Sequence, residues 1–296
     1  MYLRFAAAAS LALALTAGVT TPQDTPSIAS RLAAIEARTG GRLGVAVLDT
    51  GSGRRIEYRA HERFAMCSTF KLLLAGAVLV RVDAGNESLD RRVAYGPADL
   101  LEYAPVAKEH VARGSLPVSA LCAAAVEVSD NTAANLLLMT LGGPEGLTRY
   151  ARSLGDEATR LDRMEPELNA NAPGDPRDST TPAAMLTSLS RLLVGDALTA
   201  TSRARLETWL VKSRTGAARL RAGLPATWRA GDKTGTCNNG ATNDVAIAWP
   251  PGRPPVLAAA YFTGSTAPLA EREAALAEVG GVIATDPNTW PASRDW

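Results

Sequence analysis

Residues 67–80 read Cys67-Ser68-Thr69-Phe70-Lys71-Leu72-Leu73-Leu74-Ala75-Gly76-Ala77-Val78-Leu79-Val80. From Leu72 to Val80 the run carries no charge, which predicts a helix buried on all sides. Yet this buried run opens with a hydroxyl and an amine. Ser68 and Lys71 stand three residues apart and share one face of the first turn. Free N–H groups and the positive end of the helix dipole favour negative charge there. A weak nucleophile, a group able to take its proton and a place for a developing oxyanion thus fall within one turn. An N-cap serine followed by a snorkelling lysine is spelled the same way. With 17 serines and 4 lysines in the chain, S-x-x-K arises by chance roughly 0.2 times.

Working outward, the pattern from 64 to about 211 is helical and broken by Gly and Pro, with segments at 117–127, 131–141, 144–153, 182–194 and 201–211. Before it come a helix at 27–38 with a serine at its start and two strands, 42–49 and 54–59, joined by Thr50-Gly51-Ser52-Gly53. After it, strand patterns return at 228–237, 243–249 and 256–263, followed by an Ala-rich helix at 268–283. Strands at both ends with helices between them predict an α/β (α+β) two-domain fold. Its five-stranded antiparallel sheet is built from both termini and flanked by the terminal helices, with an all-α domain inserted. The expected division is 24–62 with 212–296 for the discontinuous α/β domain and 63–211 for the all-α domain. The seam between them is the usual place for a ligand cleft.

The polar stretch 163–178, Arg163-Met164-Glu165-Pro166-Glu167-Leu168-Asn169-Ala170-Asn171-Ala172-Pro173-Gly174-Asp175-Pro176-Arg177-Asp178, cannot continue a helix and suits an Ω-loop. Arg163 and Asp178 at its ends could close it as an ion pair, or stand as a solvated charge pair on an ordinary connection.

At 296 residues, 46% hydrophobic and 21% charged, the chain has the composition of a soluble globular protein. Lys plus Arg is 31 against 30 acids, so no long-range field steers it toward nucleic acid or an anionic membrane. Lysine occurs only at 71, 108, 212 and 233; in so Arg-biased a chain those positions stand out, because only lysine can give up its proton. Residues 1–17 read as a secretory signal: Arg4, an apolar run from Phe5 to Leu15, then Leu15-Thr16-Ala17. The run is short for a membrane span, and no later stretch would retain the mature chain in a membrane. Export to a periplasm or the medium is expected, as a monomer, where disulfides persist. Cysteines at 67, 122 and 237 contain no C-x-x-C, and His61 and His110 are the only histidines. No metal site and no cofactor are expected.

Three further motifs follow Ser68. Ser129-Asp130-Asn131 lies between two helical segments and reads alone as an N-cap for the second. Glu165-Pro166-Glu167-Leu168-Asn169 puts a carboxylate and an amide in the loop, where a solvated acid is the bland reading. Lys233-Thr234-Gly235-Thr236 sits in a closing strand, where Gly weakens the strand unless a ligand backbone comes close. Taken together with S-x-x-K, the set arises by chance roughly once in ten thousand sequences. S-x-x-K, S-D-N and K-T-G form the signature of penicillin-interacting serine enzymes. With E-x-x-L-N between the last two, the chain resembles the class A serine β-lactamases from about residue 42 to 283.

That resemblance implies roles. Ser68 attacks the lactam carbonyl, and the N–H groups of Ser68 and Thr236 form the oxyanion hole. Lys71 or Glu165 activates Ser68 for acylation; Ser129 relays a proton to the leaving nitrogen. Glu165 and Asn169 hold the water that hydrolyses the ester, and the Glu165–Pro166 peptide is expected to be cis. Asn131 binds the acylamide group, Tyr103 forms an aromatic wall, and Lys233, Thr234, Gly235 and Thr236 meet the antibiotic's carboxylate. Many members supply an arginine at the place of Thr242; here Arg219 matches the alternative source found in carbapenem-hydrolysing members. Cys67 and Cys237 adjoin Ser68 and Thr236, and the resemblance implies a disulfide between them, two buried thiols being the alternative; Cys122 is left as a buried free thiol. The expected activity is hydrolysis of penicillins, cephalosporins and carbapenems, giving antibiotic resistance. Two rivals share most of the motifs: a D-Ala-D-Ala carboxypeptidase or transpeptidase, which lacks a deacylating water, and a β-lactam sensor domain, which stays acylated. A triad hydrolase is disfavoured because there is no G-x-S-x-G.

Overall fold

The computed structural model describes residues 26–285, together with Tyr2. The expected leader lies outside the described residues. Helix α1 (Ile28–Thr39) starts after Ser27, whose hydroxyl accepts the Ser30 N–H, so the serine caps the helix from one residue outside it. Strands β1 (Arg42–Asp49) and β2 (Arg55–Tyr58) follow, then the two-residue β3 (Phe64–Ala65), a 3-10 turn at Cys67–Thr69 and α2 (Phe70–Asp83). Next come β4 (Arg92–Ala94), α3 (Pro105–His110), β5 (Ser115–Pro117), α4 (Val118–Glu127), α5 (Asn131–Thr140) and α6 (Gly143–Ser153). The remainder is β6 (Ser179–Thr180), α7 (Pro182–Leu193), α8 (Ala200–Val211), α9 (Leu220–Gly223), β7 (Arg229–Cys237), β8 (Ala241–Trp249), β9 (Val256–Thr263) and α10 (Leu269–Thr285).

Every residue of α2 from Phe70 to Leu79 is buried, Lys71 included, as its uncharged run requires. The main sheet is antiparallel with strand order β2-β1-β9-β8-β7. The first strand therefore pairs with the last, and β7, carrying Lys233-Thr234-Gly235-Thr236, is an edge. An edge strand keeps one row of N–H and C=O groups unpaired within the sheet.

The two-residue period of the strands sorts their side chains between two apolar cores. Leu257, Ala259 and Tyr261 of β9, with Val245 and Ile247 of β8, join the helical core around Leu73, Leu121, Leu137, Leu189 and Leu210. The alternate residues, Val256, Ala258, Ala260 and Phe262, pack with Leu32 and Ile35 of α1 and with Leu276, Val279 and Ile283 of α10. Helices thus cover both faces, and the helical core is continuous with one face of the sheet.

Three differences from the sequence reading have physical causes. Helices α3 and α9 are too short to show a period. Strand β8 begins at Ala241 rather than 243, because the tight turn through Asn239 (φ 54°) and Gly240 (φ 61°) lets Cys237 pair with Ala241. The glycine at one of those left-handed positions is the residue that adopts it without steric cost. The 163–178 loop is closed by Arg163 Nε to Asp178 Oδ2 at 2.5 Å, and Asp178 Oδ1 also accepts the N–H groups of Asp162 and Arg163. Asp178 is 1% exposed and Arg163 is half-buried, so the acid of this pair is shielded from solvent. Removing Arg163 would leave a buried carboxylate without its countercharge.

Candidate active site

The 3-10 turn Cys67–Thr69 leads directly into α2, which puts Ser68 at the mouth of the helix and Lys71 one turn inside. Lys71 Nζ lies 3.0 Å from Ser68 Oγ, 2.9 Å from Ser129 O, 3.3 Å from Ser129 Oγ, 2.5 Å from Asn131 Oδ1 and 3.0 Å from Glu165 Oε1. An ammonium has three protons for these five acceptors; deprotonated, the same nitrogen offers a lone pair toward Ser68. Burial pushes the Lys71 pKa below the ordinary lysine value, while the Glu165 carboxylate and, more weakly, Asp130 pull it back up.

The Ser129-Asp130-Asn131 triplet does two jobs at once. Asp130 is the N-cap of α5, accepting the Ala133 N–H at 2.8 Å, and its other oxygen accepts the N–H groups of Val106 and Ala107 at the start of α3. The cap reading and the site reading are therefore compatible. The acid locks two helix starts together, while Ser129 and Asn131 on either side of it turn toward Lys71. Ser129 holds φ 61°, a left-handed conformation costly for a residue with a Cβ. Its hydroxyl accepts from Lys233 Nζ at 3.0 Å.

Lys233 is 0% exposed and also donates to Thr234 O at 2.7 Å. Burial, followed by the nearby Lys71 ammonium, drives its pKa well below the usual lysine range, against the pull of the Asp232 carboxylate. Thr234 donates its hydroxyl to Thr215.

From the loop, Glu165 reaches to 3.4 Å from Ser68 Oγ, accepting from it. The Glu165–Pro166 peptide is cis. Asn169 Nδ2 donates to Glu165 Oε2 at 2.5 Å, and Asn169 Oδ1 is buried without a hydrogen-bond partner among the described residues. An acceptor thus stands free beside a carboxylate. The sequence reading missed Asn135, which brackets Glu165 from α5: its Oδ1 accepts the Glu165 N–H at 3.0 Å and its Nδ2 donates to the Glu165 carbonyl at 2.8 Å. One signal was present, since Asn135 lies four residues beyond Asn131 on the same face of the helix.

Gly235 lies against the turn that carries Ser68. A Cβ there would sit 2.6 Å from Met66 O and 3.2 Å from Ser68 N. The close approach that requires glycine is thus made by the chain's own turn, not by a ligand backbone alone. The Cys67–Cys237 disulfide, with Cα atoms 5.6 Å apart, ties the same two segments, and Cys122 is a buried free thiol. Burial raises the Cys122 pKa, which keeps it an inert thiol.

Arg219 is 4% exposed and donates from Nη1 to Gly235 O (3.0 Å) and Asn243 O (2.8 Å), from Nη2 to Thr236 Oγ1 (2.6 Å), and from both Nε and Nη2 to Glu273 Oε1 (3.2 Å each). These contacts account for all five of its N–H donors. The structure therefore places Arg219 beneath Thr236, oriented by an acid that the sequence did not single out. Tyr103 stands at the rim, 52% exposed, and its carbonyl accepts the Asn131 N–H at 3.0 Å. His61 is exposed beside Glu57 and His110 ends α3, and neither is among the hydrogen-bond partners of Ser68 given above. One hydrogen-bonded chain thus runs Asn169–Glu165–Ser68–Lys71–Ser129–Lys233, with Asn131 on Lys71.

Comparison with known proteins agrees with this arrangement. The β-lactamase enzyme family matches residues 27–285. The chain belongs to that family. It is 48% identical over 257 residues to β-lactamase Toho-1 of Escherichia coli, covering 87% of this chain and 88% of that protein. It is 48% identical over 288 residues to β-lactamase AST-1 of Nocardia asteroides (94% and 93% covered), and 46% identical over 285 residues to β-lactamase L2 of Stenotrophomonas maltophilia (94% of each). Among solved structures, an ancestral class A β-lactamase superposes with a TM-score of 0.85 at 60% identity, covering 87% of this chain and 98% of that one. Within the β-lactamase family this protein is therefore a class A serine enzyme.

Proposed function

We propose that this class A β-lactamase opens the lactam ring of penicillins, cephalosporins and carbapenems through an ester on Ser68, and that the roles of the site residues are as follows. The observation that carries the reading is the position of the Ser68 hydroxyl between two bases, Lys71 Nζ at 3.0 Å and Glu165 Oε1 at 3.4 Å. Acylation begins as the Ser68 proton passes to one of these groups and Oγ bonds to the lactam carbonyl carbon. The N–H groups of Ser68 and Thr236 hold the oxyanion; one such donor is worth about 3–4 kcal/mol of barrier. When the C–N bond breaks, the nitrogen takes the Ser129 hydroxyl proton, which Ser129 regains from Lys71 or Lys233, both within 3.3 Å of it. Deacylation needs a water with its proton accepted, and Glu165 beside the free acceptor Asn169 Oδ1 supports that role. An enzyme that stays acylated has no use for this arrangement.

The substrate's acylamide group meets Asn131, whose Oδ1 is taken by Lys71, leaving its NH₂ group to donate. Tyr103 flanks the bound ring, and Lys233, Thr234 and Thr236 receive the carboxylate, with Arg219 acting through Thr236. Carbapenem turnover is supported by the combination of Cys67–Cys237, Thr236 and Arg219 at the oxyanion strand. Export with removal of residues 1–17, action as a monomer and the division into 24–62 with 212–296 and 63–211 complete the proposal. Steady-state hydrolysis of nitrocefin and imipenem by purified protein tests it. Turnover of both is expected; nitrocefin turnover without imipenem turnover removes the carbapenem part, and neither overturns the whole.

A further inference from the structure

The two oxyanion donors belong to separate pieces of chain, Ser68 in the 67–69 turn and Thr236 in β7, so something must fix one against the other. We propose that Asn243 is the positioning residue that sets this alignment, an inference that rests on the oxyanion hole described above. Asn243 lies in β8, is 0% exposed and pairs across the strands with Gly235. Its Nδ2 donates to Ala65 O at 2.9 Å and Met66 O at 3.2 Å and lies 3.5 Å from Cys67 Sγ, while its Oδ1 accepts the Phe262 N–H of β9 at 3.2 Å. One side chain thus holds two successive carbonyls just before the nucleophile and anchors them to the sheet. Its main-chain carbonyl accepts from the same Arg219 group that binds Gly235 O, next to Thr236. Both halves of the oxyanion hole are therefore referred to this residue.

Two physical arguments favour a positioning role. The turn is strained: Cys67 holds φ 46°, and a non-glycine residue in that region persists only where its surroundings over-determine it. A buried strand position also favours a β-branched or aromatic residue, and a buried amide is tolerated only with its hydrogen bonds made. The disulfide fixes the separation of the two segments, whereas bonds to consecutive carbonyls fix the Ala65–Met66 and Met66–Cys67 peptide planes, the second of which adjoins the plane that carries the Ser68 N–H.

The test compares the parent with Asn243→Leu, similar in size without a donor, and with Asn243→Asp, which keeps the shape and the acceptor and, protonated by burial, only one of the two donor protons. Folding is verified for each by thermal melting and by the presence of a single free thiol. Because both acylation and deacylation pass through an oxyanion, both rate constants with nitrocefin are expected to fall about 10- to 100-fold, below the full loss of a donor. The KM for acylation is expected to change by less than about threefold, and affinity for a boronic acid, a tetrahedral mimic, to weaken in parallel with the rates. A variant that melts lower but keeps both rates and its boronic acid affinity overturns the proposal, as does a loss confined to one of the two steps. If Asn243→Leu does not fold, Asn243→Asp carries the same readouts. A parent that fails to turn over nitrocefin sinks the functional reading itself, whereas an active parent with unimpaired variants sinks only the role of Asn243.

Discussion

Lys71 and Lys233 are both fully buried in one cleft and both touch Ser129, yet they face different company. Lys71 has a carboxylate 3.0 Å away. Lys233 has a hydroxyl and its neighbour's carbonyl as hydrogen-bond partners, with the Lys71 ammonium among the charges that lower its pKa. Burial disfavours charge on both, but only Lys71 has a partner in direct contact that restores it. The difference fits the roles proposed for them, with Lys71 exchanging protons beside Glu165 and Lys233 receiving the substrate's carboxylate, which would complete its electrostatic surroundings.

The hardest blow to this contrast is to remove the carboxylate. In Glu165→Ala, hydrolysis of a penicillin should fall about 10²- to 10⁴-fold, the range for a lost general base, and intact mass should show the adduct on Ser68. Normal turnover in that variant would break the assignment. Next in size, Lys233→Ala should raise KM for a carboxylate-bearing β-lactam about 10- to 100-fold, as expected for a charged hydrogen bond of roughly 1.5–3 kcal/mol. An unchanged KM would make Lys233 a proton donor only. Arg219→Ala should lower kcat/KM for the same substrate by about tenfold, since it acts through Thr236, and Glu273→Gln should do so by less; unchanged kinetics for Arg219→Ala would remove it from recognition.

The smallest effect sharpens the contrast most. Glu165 raises the Lys71 pKa, so Glu165→Gln removes negative charge that favours the ammonium and the pKa must fall. Neutral Lys71 is then available at lower pH, and the acid limb of the acylation rate should move to lower pH, measured by single-turnover burst kinetics. A limb that stays in place would show that Lys71 is not the base of that step.

The motifs that meet in the candidate site were legible because each names residue types at a fixed spacing: S-x-x-K, S-D-N, E-x-x-L-N and K-T-G rarely occur together by chance. The alternating strands and the uncharged α2 likewise announced the sheet and the buried helix. What stayed hidden is the scaffolding of the site. Asn135 in a helix, Asn243 in a strand and Glu273 in the last helix look like ordinary polar residues until the fold brings them to partners far away in sequence; Asn243 and Ala65 are 178 residues apart. The burial of Asp178 in its pair with Arg163 was hidden for the same reason, since a charge pair closing a loop is spelled alike wet or dry.

The contact between Gly235 and Met66 O leaves no room for even a methyl group, and the helical core runs unbroken into the sheet face behind it. The floor of the cleft is therefore a poor place for natural selection to tinker. Change that leaves this masonry alone has to fall on exposed side chains at the rim, such as Tyr103, and not on Glu165, Asn169 or Gly240, each of which is tied to a neighbouring segment.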